Sequence, residues 1–262
     1  MKYGIIIRNV IDLRAEPKFR SERRSQLLFN ELVHIGKIRD GYGHIYQSDG
    51  YHGWVDIRGV EFLAQNRTRF NPDHRFNTAV CRLYPLDEKY SYPSFLFYGT
   101  EMQLAELNDR YAIMKDRRGF AYRVPKGRIS QIKNVALPRI EGKWLIKEAA
   151  RFIGTPYLWG GITPFGFDCS GLVQMVCRSA GINLPRDSSR QKKIGRKIGL
   201  EDVKAGDLFF FKGHVAIALD RYRMIHSSLG SGGVAFNSLN PDDHDYRRDL
   251  ADIFLEARRV LP

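Results

Sequence analysis

Cys169 is the residue of this chain best placed to do chemistry. It lies in Phe167-Asp168-Cys169-Ser170-Gly171, where a Gly-rich stretch gives way to apolar residues at helical spacing. Leu172, Val173, Val176 and Ala180 carry the spacing, and Gly181 marks the stop. Asp168 is placed to cap that helix. A thiol in a first helical turn meets unpaired backbone N–H groups and the positive end of the helix dipole. Such placement is expected to lower its pKa from about 8.5 to roughly 3.5–7.5 and to favour the nucleophilic thiolate. Two histidines follow on predicted strands, His214 in Gly213-His214-Val215-Ala216-Ile217 and His226 in Met224-Ile225-His226-Ser227. Their spacing suits a strand, a turn and a return strand, so the rings are expected as cross-strand neighbours. A cysteine, a histidine base and a second histidine that sets the tautomer of the first form a set for acyl transfer. The backbone N–H of Cys169 and the hydroxyl of Tyr157 are the expected oxyanion donors.

Cys169, His214, His226 and Asp168 are also legitimate zinc ligands. Against that reading, adjacent Asp168 and Cys169 make an awkward ligand pair, and no short Cys or His spacing is present. Neither a metal nor another cofactor is expected. His34, His44, His52, His74 and His244 lack a comparable context. Cys81 and Cys177 read as core thiols, and three irregularly spaced cysteines make no disulfide framework.

The chain has 262 residues, 43% of them hydrophobic, enough for one large domain or two to three small ones. Its net charge of +13 is spread out. Residues 1–137 hold 23 Lys/Arg against 15 Asp/Glu, and residues 138–262 hold 19 against 14. With no zinc-finger, homeodomain or basic-zipper pattern, a nucleic-acid partner is not expected. The charge reads as solubility or attraction to a small anionic substrate. No apolar stretch approaches the roughly 18 residues that span a bilayer, so no membrane partner is expected. Near the start, Arg8 and Asp12 break the apolar run too early for a secretory signal, which makes a cytoplasmic protein the simplest expectation. A chain with its leader trimmed off would read the same. No obligate protein partner is evident.

These residues need a frame. In 1–68, short strands over Ile5 to Val10, Leu32 to Ile38, His44 to Gln47 and Gly53 to Asp56 alternate with turns at Asp40-Gly41 and Asp49-Gly50. With a long polar loop from Arg14 to Ser25-Gln26, this is the layout of an SH3-like barrel. Residues 69–137 repeat the theme weakly: Tyr111 to Lys115, a turn at Asp116–Gly119, Phe120-Ala121-Tyr122, then Pro125-Lys126-Gly127 in the place of Ile57-Arg58-Gly59. A second barrel or a β-rich extension is expected there, with a single irregular β domain as the alternative. Leu137-Pro138 reads as a linker. In 138–262 an amphipathic helix over Gly142 to Ile153 carries Leu145, Ala149, Phe152 and Ile153 on one face and ends at Gly154. After the Cys169 helix come strands over Asp207–Phe211, His214–Asp220, Met224–His226 and Phe254–Val260, an α+β arrangement.

At this point the motifs resemble a known family. Gly154-Thr155-Pro156-Tyr157-Leu158-Trp159-Gly160-Gly161, Phe167-Asp168-Cys169-Ser170-Gly171-Leu172-Val173, Leu184-Pro185-Arg186-Asp187-Ser188-Ser189, Ala205-Gly206-Asp207-Leu208, Gly213-His214-Val215-Ala216-Ile217 and Ile225-His226 are similar to the NlpC-type cysteine peptidases of bacterial cell-wall metabolism. The resemblance implies a papain-like α+β fold with Cys169 as nucleophile, His214 as base and His226 as the third member. The front half, through Leu13-Arg14-Ala15-Glu16-Pro17, Ser21-Glu22, Ser25-Gln26-Leu27-Leu28 and Asp49-Gly50-Tyr51-His52-Gly53-Trp54, resembles the SH3-like module of γ-D-glutamyl-L-diamino-acid peptidases. That branch implies cleavage of murein tripeptides or tetrapeptides after L-Ala-γ-D-Glu, with a free L-Ala amine. It implies that Asp187, helped by Ser188, meets the amine, that Glu22 and Tyr51 complete the pocket, and that Asp168 and Ser170 belong to the oxyanion and substrate-binding set with Tyr157. Asn30 stands where this module usually has Gly. A secreted endopeptidase of intact wall and a non-catalytic wall-binding module are the competing readings.

Overall fold

The computed structural model describes residues 2–63, 70–87, 93–132 and 141–261. The chain divides into two compact units, Met1–Lys133 and Asn134–Pro262. The expected linker at Leu137-Pro138 lies outside the described residues. Among the described residues no helix is long and apolar enough to cross a membrane.

The first unit is built of β-strands. Strands β1 (Lys2–Ile6), β2 (Val10–Arg14), β3 (Arg23–Leu28), β4 (Leu32–Arg39), β5 (Tyr42–Tyr46), β6 (His52–Asp56) and β7 (Val60–Leu63) form one antiparallel sheet in the order β3-β2-β6-β5-β4-β1-β7. Alternate residues of these strands, among them Leu13, Leu27, Val33, Ile35, Ile45 and Val55, meet in one core. Two expectations give way here. The strand expected over Ile5 to Val10 is broken into β1 and β2. The polar stretch expected as a loop as far as Ser25-Gln26 contains β3. Its inward polar residues find partners there: Asp12 accepts from Arg23 Nε at 2.7 Å and from the buried Gln26 Nε2 at 3.2 Å. Hydrophobic alternation cannot report a strand held that way.

Strands β8 (His74–Phe76), β9 (Val80–Arg82), β10 (Tyr84–Pro85), β11 (Phe95–Phe97), β12 (Glu101–Leu107), β13 (Tyr111–Lys115), β14 (Ala121–Pro125) and β15 (Ile129–Gln131) follow. They give a six-stranded sheet, β10-β14-β13-β12-β8-β15, and a separate β9–β11 pair. The internal repeat has a local counterpart: a 3-10 turn over Ile57–Gly59 leads into β7, and one over Lys126–Arg128 leads into β15. Phe29, next after β3, packs with Phe76, Leu96, Met114 and Tyr122 in the second core. Asn30 follows it at φ +69, the left-handed region that Asn tolerates. Its Nδ2 donates to Glu101 O at 2.8 Å, and its Oδ1 accepts from Arg117 N at 2.7 Å. Glycine would make the same turn without this bridge. Asn30→Gly is therefore expected to cost about 1–3 kcal/mol, because two part-buried backbone groups lose these bonds. Urea unfolding checks this, and an unchanged midpoint would mean the bridge contributes nothing.

The second unit is α+β. It holds α1 (Gly142–Ala150), the hairpin β16 (Ile162–Thr163) and β17 (Gly166–Phe167), α2 (Cys169–Ser179) and α3 (Ser188–Gln191). Then come β18 (Arg196–Ile198), β19 (Leu208–Phe211), β20 (His214–Ala218), β21 (Arg223–Ser228), β22 (Gly233–Ser238), α4 (Arg248–Ala251) and β23 (Phe254–Arg259). The sheet runs β18-β23-β19-β20-β21-β22. Helices α1 and α2 pack against β20 and β21, burying Leu145, Ala149, Leu172, Val173 and Val176. Helix α1 stops three residues sooner than expected. The turn over 151–154, closed by Gly154 at φ +82, keeps Phe152 inside and leaves Ile153 half exposed. Strand β22 has no counterpart in the sequence reading, because its Gly232-Gly233 entry reads as a turn.

Candidate active site

Helix α2 begins as its residues require. Asp168 sits at the N-cap in extended backbone, and its Oδ1 accepts from Gly171 N at 2.7 Å. The rest of that carboxylate is also occupied. Oδ2 accepts from Gly160 N at 2.9 Å, and Oδ1 accepts from Ser170 Oγ at 3.3 Å. Arg186, 3% exposed, grips both oxygens, with Nη1 to Oδ1 at 3.0 Å and Nη2 to Oδ2 at 2.6 Å. Arg186 Nη1 also donates to Ser170 Oγ at 2.8 Å. Asp168 and Ser170, expected in the substrate-binding set, thus spend these groups on holding the helix start, the 160 loop and the 186 loop together. Packing is equally tight on the other side. A Cβ on Gly171 would stand 2.1 Å from Gly161 O, and one on Gly161 would stand 2.3 Å from Gly166 O.

Cys169 opens the helix and is 7% exposed. Its thiol does not show the lowered pKa expected of a helix start. Burial, and then the neighbouring Asp168 carboxylate, push it up to about 11. The backbone N–H groups of Val215 and Ser170 and the charge of Arg186 pull the other way and are outweighed. Contact with Val215 puts the sulfur beside the residue that follows His214 in β20.

His214 and His226 stand as the sequence suggests, with His214 Nε2 2.7 Å from His226 Nδ1. His226 is fully buried, and its Nε2 lies 2.8 Å from Asn237 Oδ1 on β22. Burial first, then His226 and Arg247, push the His214 pKa down to about 3. Burial pushes His226 down to about 4, against its hydrogen bond to Asn237 Oδ1, which raises it. At neutral pH the resting site therefore holds a thiol and two neutral imidazoles. A lone thiolate or a lone imidazolium is costly in so dry a place. Moving the proton from sulfur to His214 makes both charges at once, so each offsets the other. With three imidazole nitrogens engaged in these bonds, the pair is arranged for proton transfer rather than for zinc.

Tyr157 enters from the loop after α1, its N–H bonded to Gly232 O at 3.1 Å. Burial, then the sulfur of Cys169 and the carboxylate of Asp168, raise its pKa to about 12. It keeps its proton and can donate it to an oxyanion. Asp187 and Ser188 stand half buried at the start of α3, directly after Arg186. The Asp187 side chain does not cap that helix. Glu22 and Tyr51 belong to the first unit. Glu22 is exposed just before β3. Tyr51 is buried in the first core, its hydroxyl 3.5 Å from Arg24 O. The sequence reading missed Arg186 and Asn237. Arg186 stood inside a motif where Asp187 drew attention, and Asn237 lay on the unrecognised β22.

Comparison with known proteins finds a family match for each part of the chain. The family model described as NlpC/P60 family matches residues 154–248, and that described as bacterial dipeptidyl-peptidase Sh3 domain matches residues 13–60. A γ-D-glutamyl-L-lysine dipeptidyl-peptidase of Bacillus subtilis is 45% identical over 42% of this chain and 39% of its own length. A protein of the same name from Bacillus cereus is 28% identical over 82% of this chain and 66% of its own length. The chain thus spans less than two thirds of either. A probable endopeptidase NlpC homolog of Haemophilus influenzae is 33% identical over 56% of this chain and 74% of its own length. The crystal structure of an NlpC/P60 family protein from Bacillus cereus superposes with a TM-score of 0.88 at 22% identity, covering 99% of this chain and 100% of that one. Together with the two family models, that likeness gives a papain-like fold preceded by an SH3-type domain.

Arg186→Leu leaves Asp168 buried without its countercharge and is expected to cost about 3–5 kcal/mol. Denaturant unfolding of the full chain measures it, and a loss under 1 kcal/mol would deny the pair its role. A second expectation concerns acid. His226 is neutral and buried, with a folded pKa of about 4 against 6.5 when free. Its contribution is complete above pH 6.5, drains away as pH falls toward 4, and amounts to roughly 3 kcal/mol. The melting temperature should fall across that window, and less so in His226→Gln. Equal falls in both proteins would contradict the neutral burial of His226.

Proposed function

The chain belongs to the NlpC/P60 family, and from that premise we propose that it is a cysteine peptidase of murein peptides. It cuts the γ-D-Glu–L-diamino-acid bond and releases L-Ala-γ-D-Glu from stems whose L-Ala amine is free. The observation that carries the reading is the His214–His226 pair, 2.7 Å apart, with His214 on the strand whose Val215 N–H meets the Cys169 sulfur at the mouth of α2. Support for the bond comes from the two Bacillus relatives named γ-D-glutamyl-L-lysine dipeptidyl-peptidase. The match of residues 13–60 to a dipeptidyl-peptidase Sh3 domain supports the exopeptidase branch.

The mechanism follows from the resting state. The substrate carbonyl arrives at Cys169, and His214 takes the thiol proton as sulfur attacks. The oxyanion is met by the first-turn N–H of Cys169 and the protonated Tyr157 hydroxyl. His214 returns its proton to the departing amine of the diamino acid. Water, deprotonated by the same imidazole, then cleaves the thioester. The L-Ala ammonium is met by Asp187, the half-buried carboxylate next to the anchored Arg186. An acylated amine carries no charge to set against that carboxylate.

Two variants test this on the tripeptide L-Ala-γ-D-Glu-L-Lys. Cys169→Ala should abolish cleavage while keeping the melting temperature. Asp187→Asn should lower kcat/KM by about 10–100-fold, as expected for loss of a charged contact of about 1.5–3 kcal/mol. Equal turnover of the N-acetylated and free tripeptides would replace the exopeptidase reading with that of a wall endopeptidase.

A further inference from the structure

We propose that Asn237 is a positioning residue for the base. It sets the proton inventory of both imidazoles and so leaves the Nδ1 lone pair of His214 to receive the thiol proton. The inference rests on the peptidase reading for its kinetic consequence, but its structural content is independent of any substrate.

The register of the sheet carries the first step. Strand β21 pairs with β22 so that His226 faces Ala235 and Met224 faces Asn237. His226 and Asn237 are thus diagonal neighbours on one face, within side-chain reach. His214 adds the third strand. The three side chains form a line across β20, β21 and β22, joined by contacts of 2.7 and 2.8 Å.

The orientation of the Asn237 amide is fixed by what surrounds it. Its Nδ2 donates to Asp245 O at 3.1 Å, and a carbonyl oxygen can only accept. That carbonyl is itself pinned, since it also accepts from Ser238 N at 3.1 Å. On the other side of the amide, Ser231 Oγ accepts from Arg247 Nη1 at 2.7 Å, which directs its own hydrogen to Asn237 Oδ1 at 2.8 Å. Turning the amide over would set two oxygens against each other at Asp245 and lose a bond there. Oδ1 therefore faces His226.

The rest is proton counting. An amide oxygen cannot donate, so His226 Nε2 carries the hydrogen. A neutral imidazole has one N–H, so His226 Nδ1 is an acceptor. His214 Nε2 must donate to it, which leaves His214 Nδ1 bare. Asn237 is uncharged, so it dictates the tautomer without adding a carboxylate that would stabilise a resting imidazolium. The depressed pKa values of both rings agree with that.

The test joins spectroscopy to kinetics on the full chain. Long-range 15N–1H correlation spectra at neutral pH should show His226 protonated at Nε2 and bare at Nδ1 in the wild type. In Asn237→Ala the two tautomers of His226 should mix. With L-Ala-γ-D-Glu-L-Lys as substrate, kcat should fall at least roughly tenfold, with KM changed less than about twofold, since orientation of the base is lost and contact with substrate is not. Asn237→Gln keeps an uncharged amide acceptor and donor and should retain the wild-type tautomer and recover part of kcat. It also covers the case in which the alanine variant fails to fold. Wild-type tautomer ratios in Asn237→Ala, or a wild-type His226 protonated at Nδ1, would overturn the proposal. If the wild type shows the stated tautomers but does not cleave the tripeptide, the peptidase reading fails and the positioning role of Asn237 stands.

Discussion

The site depends on one buried ion pair. Arg186 and Asp168 join two stretches of chain 18 residues apart through both carboxylate oxygens. Pairs this dry add little net stability compared with apolar packing, because desolvation offsets most of the attraction. Their value lies in geometry. A bidentate guanidinium–carboxylate contact has one good arrangement. Here that arrangement places the start of α2, the 160 loop and the residue before Asp187 in fixed relation. The thiol proposed as nucleophile and the carboxylate proposed to meet the substrate ammonium are thus set by the same bond. The charge also works on the thiol. Asp168 disfavours a thiolate at Cys169, and Arg186 offsets part of that effect.

A second consequence concerns when charge appears. A helix start alone would favour a standing thiolate, but burial and a neighbouring carboxylate outweigh it. The relay ends in an amide rather than a carboxylate, so nothing in the line His214–His226–Asn237 holds a permanent imidazolium. In the proposed mechanism the site rests neutral and becomes charged only as the proton crosses from sulfur to nitrogen. This suits a thiol that must stay unoxidised between turnovers, since the thiolate is the form that oxidants attack.

Much of the chemistry was legible in the chain. The cap, the thiol and the apolar spacing after it predicted α2 to within a residue, because capping and periodicity are local. The two histidines could be paired because a strand, a turn and a return strand have a narrow range of lengths. What escaped was not local. Arg23 and Gln26 sit in β3 with Asp12 of the neighbouring strand satisfying both, which no window of sequence displays. Asn237 matters through a register and through a carbonyl eight residues further on. Arg186 matters because of a partner 18 residues earlier. The thiol pKa was misjudged for a related reason. The dipole effect of a helix start can be read from sequence, but the depth at which the helix is buried cannot.

The glycine of the nucleophile motif is held by sterics, not by reactivity. Gly171 lies so close to Gly161 O, and Gly161 to Gly166 O, that neither leaves room for a single methyl group. A descendant of this protein could discard its sulfur and still be obliged to keep that glycine. Persistence of the motif's tail in a relative therefore testifies to an intact scaffold, and only the thiol with its two imidazoles testifies to a working enzyme.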